Sequence, residues 1–192
     1  MKKISIYKIT VIALSAVINL VGGQIALSLR LPIYLDSIGT ILVGAILGPF
    51  YGMIPGFISG IFGGITTDIY SLYFIPVQLI TGFTAGLIFR TGYIKKWKMP
   101  IGAMIITIPG TIVSSCICAF LFGGVTSSGS SIIVFFLRKL GLSTVTSVYM
   151  VQVVTDYADR LLAIGIVLVL LAAMPKDIVG SLKGTYRGHG EI

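Results

Sequence analysis

The chain has 192 residues, of which 56% are hydrophobic and only 10% charged; its mean hydropathy is +1.04, which excludes an ordinary soluble domain. At about 20 apolar residues per crossing, this length holds six spans with short connections, so residues 1–192 are read as a single transmembrane domain in the lipid bilayer. The net charge of +8 is assigned to cations flanking apolar spans and not to nucleic acid.

The first span is expected over residues 8–29. Its basic start, apolar run and "ALS" have the look of a signal peptide, but the run is long enough to cross and further spans follow at once, so it is kept as a helix. Spans two and three, 36–49 and 51–66, are short and joined by "GPFYG". Pro49 lacks an amide hydrogen there, which favours a hairpin over one continuous rod, and Pro55 makes the third span irregular. Spans four to six are expected over 74–90, 101–123 and 146–174. Between the last two, "SIIVFFLRKL" is too short to cross and is expected to lie on the surface or fold back as a lid. Cys116 and Cys118, two residues apart on a helix, point about 200° apart, which suits neither a disulfide nor shared metal ligation.

Ten of the fourteen Lys and Arg residues fall on one side if all six spans cross: Lys2, Lys3 and Lys8; Arg90, Lys95, Lys96 and Lys98; Lys176, Lys183 and Arg187. The fold class expected is therefore an all-α, multi-pass bundle of six transmembrane helices in the plasma membrane, with N and C termini cytoplasmic. Polar chemistry then concentrates in the outer connections "RLPIYLDS" and "TTDIYSLYF" and in the stretch from Gly123 to Ser147.

An ionisable residue within a span usually faces a cavity or a partner. Asp36, Asp68, Asp156 and Asp159 fall at or near the outer ends of spans. In "YMVQVVTDYADR", Tyr149, Gln152, Asp156 and either Asp159 or Arg160 recur at three- and four-residue steps and share one helical face. The competing account of that face is mutual neutralisation of Asp156 and Arg160 at i,i+4, with Tyr149 as an interfacial anchor. Gln24, Arg30, Tyr70, Tyr73 and Gln78 extend the candidate pocket, although aromatic-belt anchoring accounts equally well for the tyrosines. Asn19, nearer mid-membrane, suits an interhelical hydrogen bond.

Catalysis, cofactors and metal binding find no support. The lone histidine, His189, sits in the polar tail, so neither a histidine dyad nor a His/Cys ligand cluster arises in the membrane. No G-x-x-x-x-G-K-[ST] occurs, so any energy from a nucleotide must come from another subunit. The stretch "GAILGPFYGMIPGFISGIFGG" places glycine at 44, 48, 52, 56, 60 and 64, about one helical turn apart. Such a stripe packs neighbouring helices or presents a smooth face to another membrane protein.

Two stretches, "LPIYLDSIGTILVGAILGPFYGMIPGFISG" and "IYSLYFIPVQLITGFTAGLIFR", resemble the S component, the substrate-binding subunit, of energy-coupling factor (ECF) vitamin transporters. The resemblance implies a six-helix bundle that holds a vitamin or its precursor near the outer face, under the loops after helices 1, 3 and 5. It also implies partners: a transmembrane coupling subunit carried by two ATPases, against which the bundle tips to release cargo. On that analogy Ser15, Asn19, Gly23, Gly44, Gly48, Gly52, Gly56 and Gly60 form the docking surface. Family members often show alanines four apart in helix 1, whereas Ala13 and Ala16 here are three apart. Among cargoes, an arginine clamp suits pantothenate, the first choice; aspartates with tyrosines suit hydroxymethylpyrimidine or a thiamine-like cation, and cobalamin stays open. The alternatives are a stand-alone secondary carrier or channel, disfavoured by small size and the lack of an evident inverted repeat, and a membrane ligand sensor.

Overall fold

A computed structural model of the chain describes residues 6–91, 94, 96–175, 180 and 182, and among them the regular structure is all helical, with no strand. Lys2, Lys3, Lys95, Lys176, Lys183, Arg187 and His189 lie outside the described residues. In chain order the helices are α1 (Ile6–Ser28), α2 (Ile38–Leu47), α3 (Pro49–Thr66), the one-turn α4 (Tyr70–Tyr73), α5 (Ile75–Thr91), α6 (Met99–Cys116), α7 (Ser130–Lys139) and α8 (Thr144–Ala173); a 3-10 turn, Lys96–Lys98, leads into α6, which runs on as a π turn over Ile117–Leu121. Six of these coincide with the expected spans, and the ten-residue α7 is the segment judged too short to cross. Among the described residues, Ile6–Ser28 and Met99–Leu121 are the two helices long and apolar enough to cross a membrane by themselves.

α2 sits at the centre. Nine of its ten residues are buried, all but Ala45, because α1, α3, α5 and α8 all pack against it. That explains why "IGTILVGAIL" is apolar around its circumference except at Thr40: a helix enclosed on every side has no polar face to show. Its Ile41, Val43 and Leu47 meet Ile106 of α6 and Ile164 and Val167 of α8 in the main core. The α2–α3 hairpin turns on one residue. Gly48 has φ 94°, a conformation that side-chain-bearing residues rarely adopt, and Pro49 occupies the first turn of α3, where its missing amide hydrogen is harmless.

The glycine stripe is used inside this arrangement. A Cβ on Gly52 would lie 2.6 Å from the Gly82 carbonyl oxygen of α5 and 2.8 Å from Gly44 Cα of α2, so three backbones meet at one point. This corrects the expectation of an outward docking surface: Ser15, Asn19, Gly44, Gly48, Gly52, Gly56 and Gly60 are all buried within the bundle, and Gly23 is half-buried. The physical reason is that the helices around α2 must come unusually close to enclose it, which only small residues permit. Asn19 is the polar counterpart of the seam. Its Nδ2 donates to Thr40 Oγ1 at 2.8 Å and to Ser59 Oγ at 3.4 Å, while its Oδ1 accepts from the Gly39 amide at 2.7 Å. One side chain thereby ties α1 to α2 and α3, as an interhelical hydrogen bond was expected to do.

Candidate functional site

Three connections converge at one end of the bundle: residues 29–37 after α1, 67–74 around α4, and 122–131 after the π turn. Beneath them lies a cavity whose wall includes Asn19, Gln24, Tyr34, Asp36, Asp68, Tyr70, Phe74, Gln78, Ser114, Ser127, Asp156 and Arg160. The connections hold one another. Ser127 Oγ donates to Asp68 Oδ2 at 2.5 Å, and the Gly129 amide donates to the Leu31 carbonyl at 3.2 Å. α7 follows directly and packs through Val134 against Val148 and Val151 of α8, so the short amphipathic segment closes the flank of the roof.

The first connection is pinned by one buried carboxylate. Asp159, fully buried midway along α8, accepts through Oδ1 from the backbone amides of Tyr34 at 3.0 Å and Leu35 at 2.7 Å, and through Oδ2 from Ser37 Oγ at 3.4 Å. Its Oδ2 also receives the Arg160 guanidinium, whose Nη1 donates in addition to Ser37 Oγ at 2.7 Å. Leu35 holds a positive φ of 54°, the backbone twist that presents successive amides to the carboxylate. Tyr34 reinforces the anchor: its hydroxyl donates to Gln152 Oε1 at 3.1 Å. Burial above all pushes the Tyr34 phenol well above its usual range, so it acts as a donor throughout the working pH range.

Asp156, one turn before Arg160, does not pair with it. Its Oδ2 accepts from Thr111 Oγ1 at 2.9 Å and Ser114 Oγ at 2.8 Å on α6, and the ion pair of the site is Arg160 with Asp159. The i,i+4 neutralisation weighed for Asp156 and Arg160 is therefore replaced by a pair between sequence neighbours, made possible because the roof loop supplies Ser37 beside them. These residues also lie halfway along α8 and not at its end.

Of the other expected site residues, Gln24, Asp36, Asp68, Tyr70 and Gln78 line the cavity, Gln78 donating to the Asp36 carbonyl oxygen at 3.2 Å. Gln152 stands behind the wall, engaged by Tyr34. Arg30, Tyr73 and Tyr149 do not reach the cavity: Arg30 is exposed, Tyr149 is 51% exposed on the outside of α8, and Tyr73 packs edge-on against Phe122 at 5.1 Å. Conversely Asn19, Gly23 and Gly60, assigned from sequence to the docking face, line the cavity. Sequence reasoning missed Tyr34, Ser37, Thr111 and Ser114. The last two stand three apart on α6, a spacing that places both hydroxyls on one helical face.

Asp36 gives the site a pH signature. Burial first, and the nearby Asp159 carboxylate second, push it up to about 6, against the pull of Arg160. A raised acid pKa means that the folded protein holds the proton more tightly than the unfolded chain, so ionised Asp36 destabilises the fold above about pH 6 and this loss vanishes below the ordinary aspartate range near pH 4. Thermal unfolding of the ligand-free protein in detergent should accordingly show Asp36→Asn more stable than wild type at about pH 7.5, with the gap narrowing below about pH 6 and closing towards about pH 4. A variant less stable at the higher pH would contradict this account.

A family model described as ECF transporter, substrate-specific component, matches residues 7–174. No curated protein and no solved structure matches the chain.

Proposed function

Because the chain belongs to the ECF transporter substrate-specific component family, a family of membrane-embedded transporter subunits and not of enzymes, we propose that it captures a small water-soluble vitamin or precursor for ATP-driven uptake. The observation that carries this reading is the cavity at one end of the bundle, roofed by three mutually bonded connections and walled by polar groups from α1, α5, α6 and α8. An aqueous solute needs such groups to replace its hydration, and a roof to hold it.

In this reading six helices cross the plasma membrane and the roofed end faces outward. Support comes from the cations: α1 starts near Lys8 and α5 ends near Arg90, both at the opposite end from the cavity, which favours placing that end in the cytoplasm. A transmembrane coupling subunit and two ATPases supply the energy that this chain has no P-loop to harvest. With the glycine seam occupied internally, the coupling contact falls on faces that stay exposed, among them Ala13, Leu14 and Val17 of α1.

Reconstitution tests the proposal. The purified chain in detergent should retain a small organic molecule identifiable by mass spectrometry, and vesicles should accumulate that molecule only when coupling and ATPase subunits are present with ATP. Uptake by the chain alone would establish a secondary carrier instead.

A further inference from the structure

We propose that the cargo is a neutral or cationic heterocycle bearing N–H donors and not a carboxylate anion; this deepens the reading of the chain as a substrate-binding subunit and rests on it. Four charged side chains line the cavity: Asp36, Asp68, Asp156 and Arg160. Arg160 is the group that would clamp a carboxylate, yet its charge is already answered. It pairs with Asp159, which does not itself line the cavity, and donates to Ser37. That is the one ion pair among the described residues. The cavity is thus left with Asp36, Asp156 and Asp68, the last engaged by Ser127 and the Tyr70 amide.

Asp156 points most directly to a ligand. The residue is 5% exposed, and its Oδ2 accepts from the hydroxyls of Thr111 and Ser114, while Oδ1 accepts from no donor among the described residues. That oxygen is not sealed inside the protein but opens onto the cavity, where an N–H of the cargo can take the place of water as its donor. An incoming carboxylate would add a further anion to this wall; a protonated or amino-substituted ring supplies what the wall lacks. One turn along α8, the Nε and Nη2 of Arg160 make no hydrogen bond to the described residues. The two side chains together therefore offer an acceptor and a donor side by side, the complement of an edge that carries an N–H next to a ring nitrogen or carbonyl. Tyr70 and Phe74 in the same wall provide flat apolar surface for such a ring.

The full chain in detergent should be titrated calorimetrically with four probes: thiamine and 4-amino-5-hydroxymethyl-2-methylpyrimidine as N–H-bearing heterocycles, pantothenate and biotin as carboxylates. Expected is that an amine-bearing probe binds about a hundredfold tighter than either carboxylate, and that Asp156→Asn weakens it about tenfold or more, the loss of a charged hydrogen bond. Tighter binding of pantothenate or biotin, or an amine-probe affinity unchanged in a folded Asp156→Asn protein, overturns the inference while leaving the substrate-binding reading intact. If none of the four binds, the molecule released from the purified chain decides the matter: a basic or neutral heterocycle supports the inference and a carboxylate overturns it. A chain that binds no probe and releases no organic molecule overturns the substrate-binding reading itself.

Discussion

Asp159→Ala should abolish the folded, ligand-retaining state: in detergent, a loss of about 3–5 kcal/mol is expected, the range for stranding one member of a buried ion pair. The substitution leaves the Arg160 guanidinium, 5% exposed, without the carboxylate it is bonded to, and at the same time removes the acceptor for the amides of Tyr34 and Leu35. Both effects act at once because one carboxylate serves two purposes, neutralising a buried cation and holding the first roof connection to α8. Thermal unfolding and size-exclusion profile are the measurements. Asp159→Asn keeps an acceptor but not the charge and should fall between; an alanine variant with near wild-type melting would show that the roof is held by other contacts.

Gly52→Leu should be comparably severe, with a loss above about 4 kcal/mol or no recoverable folded protein. A side chain there has to displace the Gly82 carbonyl and the Gly44 Cα, and neither backbone atom can swing aside as a flexible side-chain tip would. Gly56→Leu, which an exterior docking face would tolerate, is likewise expected to lose ligand binding, since its Cβ would lie 2.7 Å from Gln78 Cβ and 2.9 Å from Thr40 Oγ1. The internal control is Gly63→Ala, where the nearest atoms, Leu20 Cδ2 and Ser71 Oγ, stand at an ordinary 3.5 Å. If the Gly52 variant melts like the Gly63 variant, the seam is looser than its geometry indicates.

The helices themselves were legible in the sequence because runs of apolar residues end where Pro49, the polar loops and the basic clusters intervene, and local hydropathy carries that information directly. The direction of the glycine stripe was not. Four-residue spacing says that small residues share a face, but whether the face meets lipid, a partner or its own bundle depends on which helix comes to lie opposite, and Gly82 is thirty residues away from Gly52 in the chain. The site shows the same division. Asp36, Asp68, Gln78, Asp156 and Arg160 stood out as costly polar residues in an apolar chain, and all five line the cavity. Periodicity placed Gln152, Asp156 and Arg160 on one side of α8 correctly and carried Tyr149 along with them, since seven residues bring it back to nearly the same angle as Asp156; but Tyr149 stands two turns nearer the start of α8, where that face is exposed. The pairing of Arg160 with Asp159 and not Asp156 was out of reach for spacing rules, since it depends on Ser37 and the amides of a loop more than a hundred residues away.

Where α2, α3 and α5 touch backbone to backbone at Gly44, Gly52 and Gly82, no layer of side chains remains to act as a lubricant. Sliding one helix past another requires such a layer, with alternative rotamers to take up small displacements. These three helices should consequently travel as one piece, and any movement that opens the cavity has to come from the three connections above it or from the subunit as a whole.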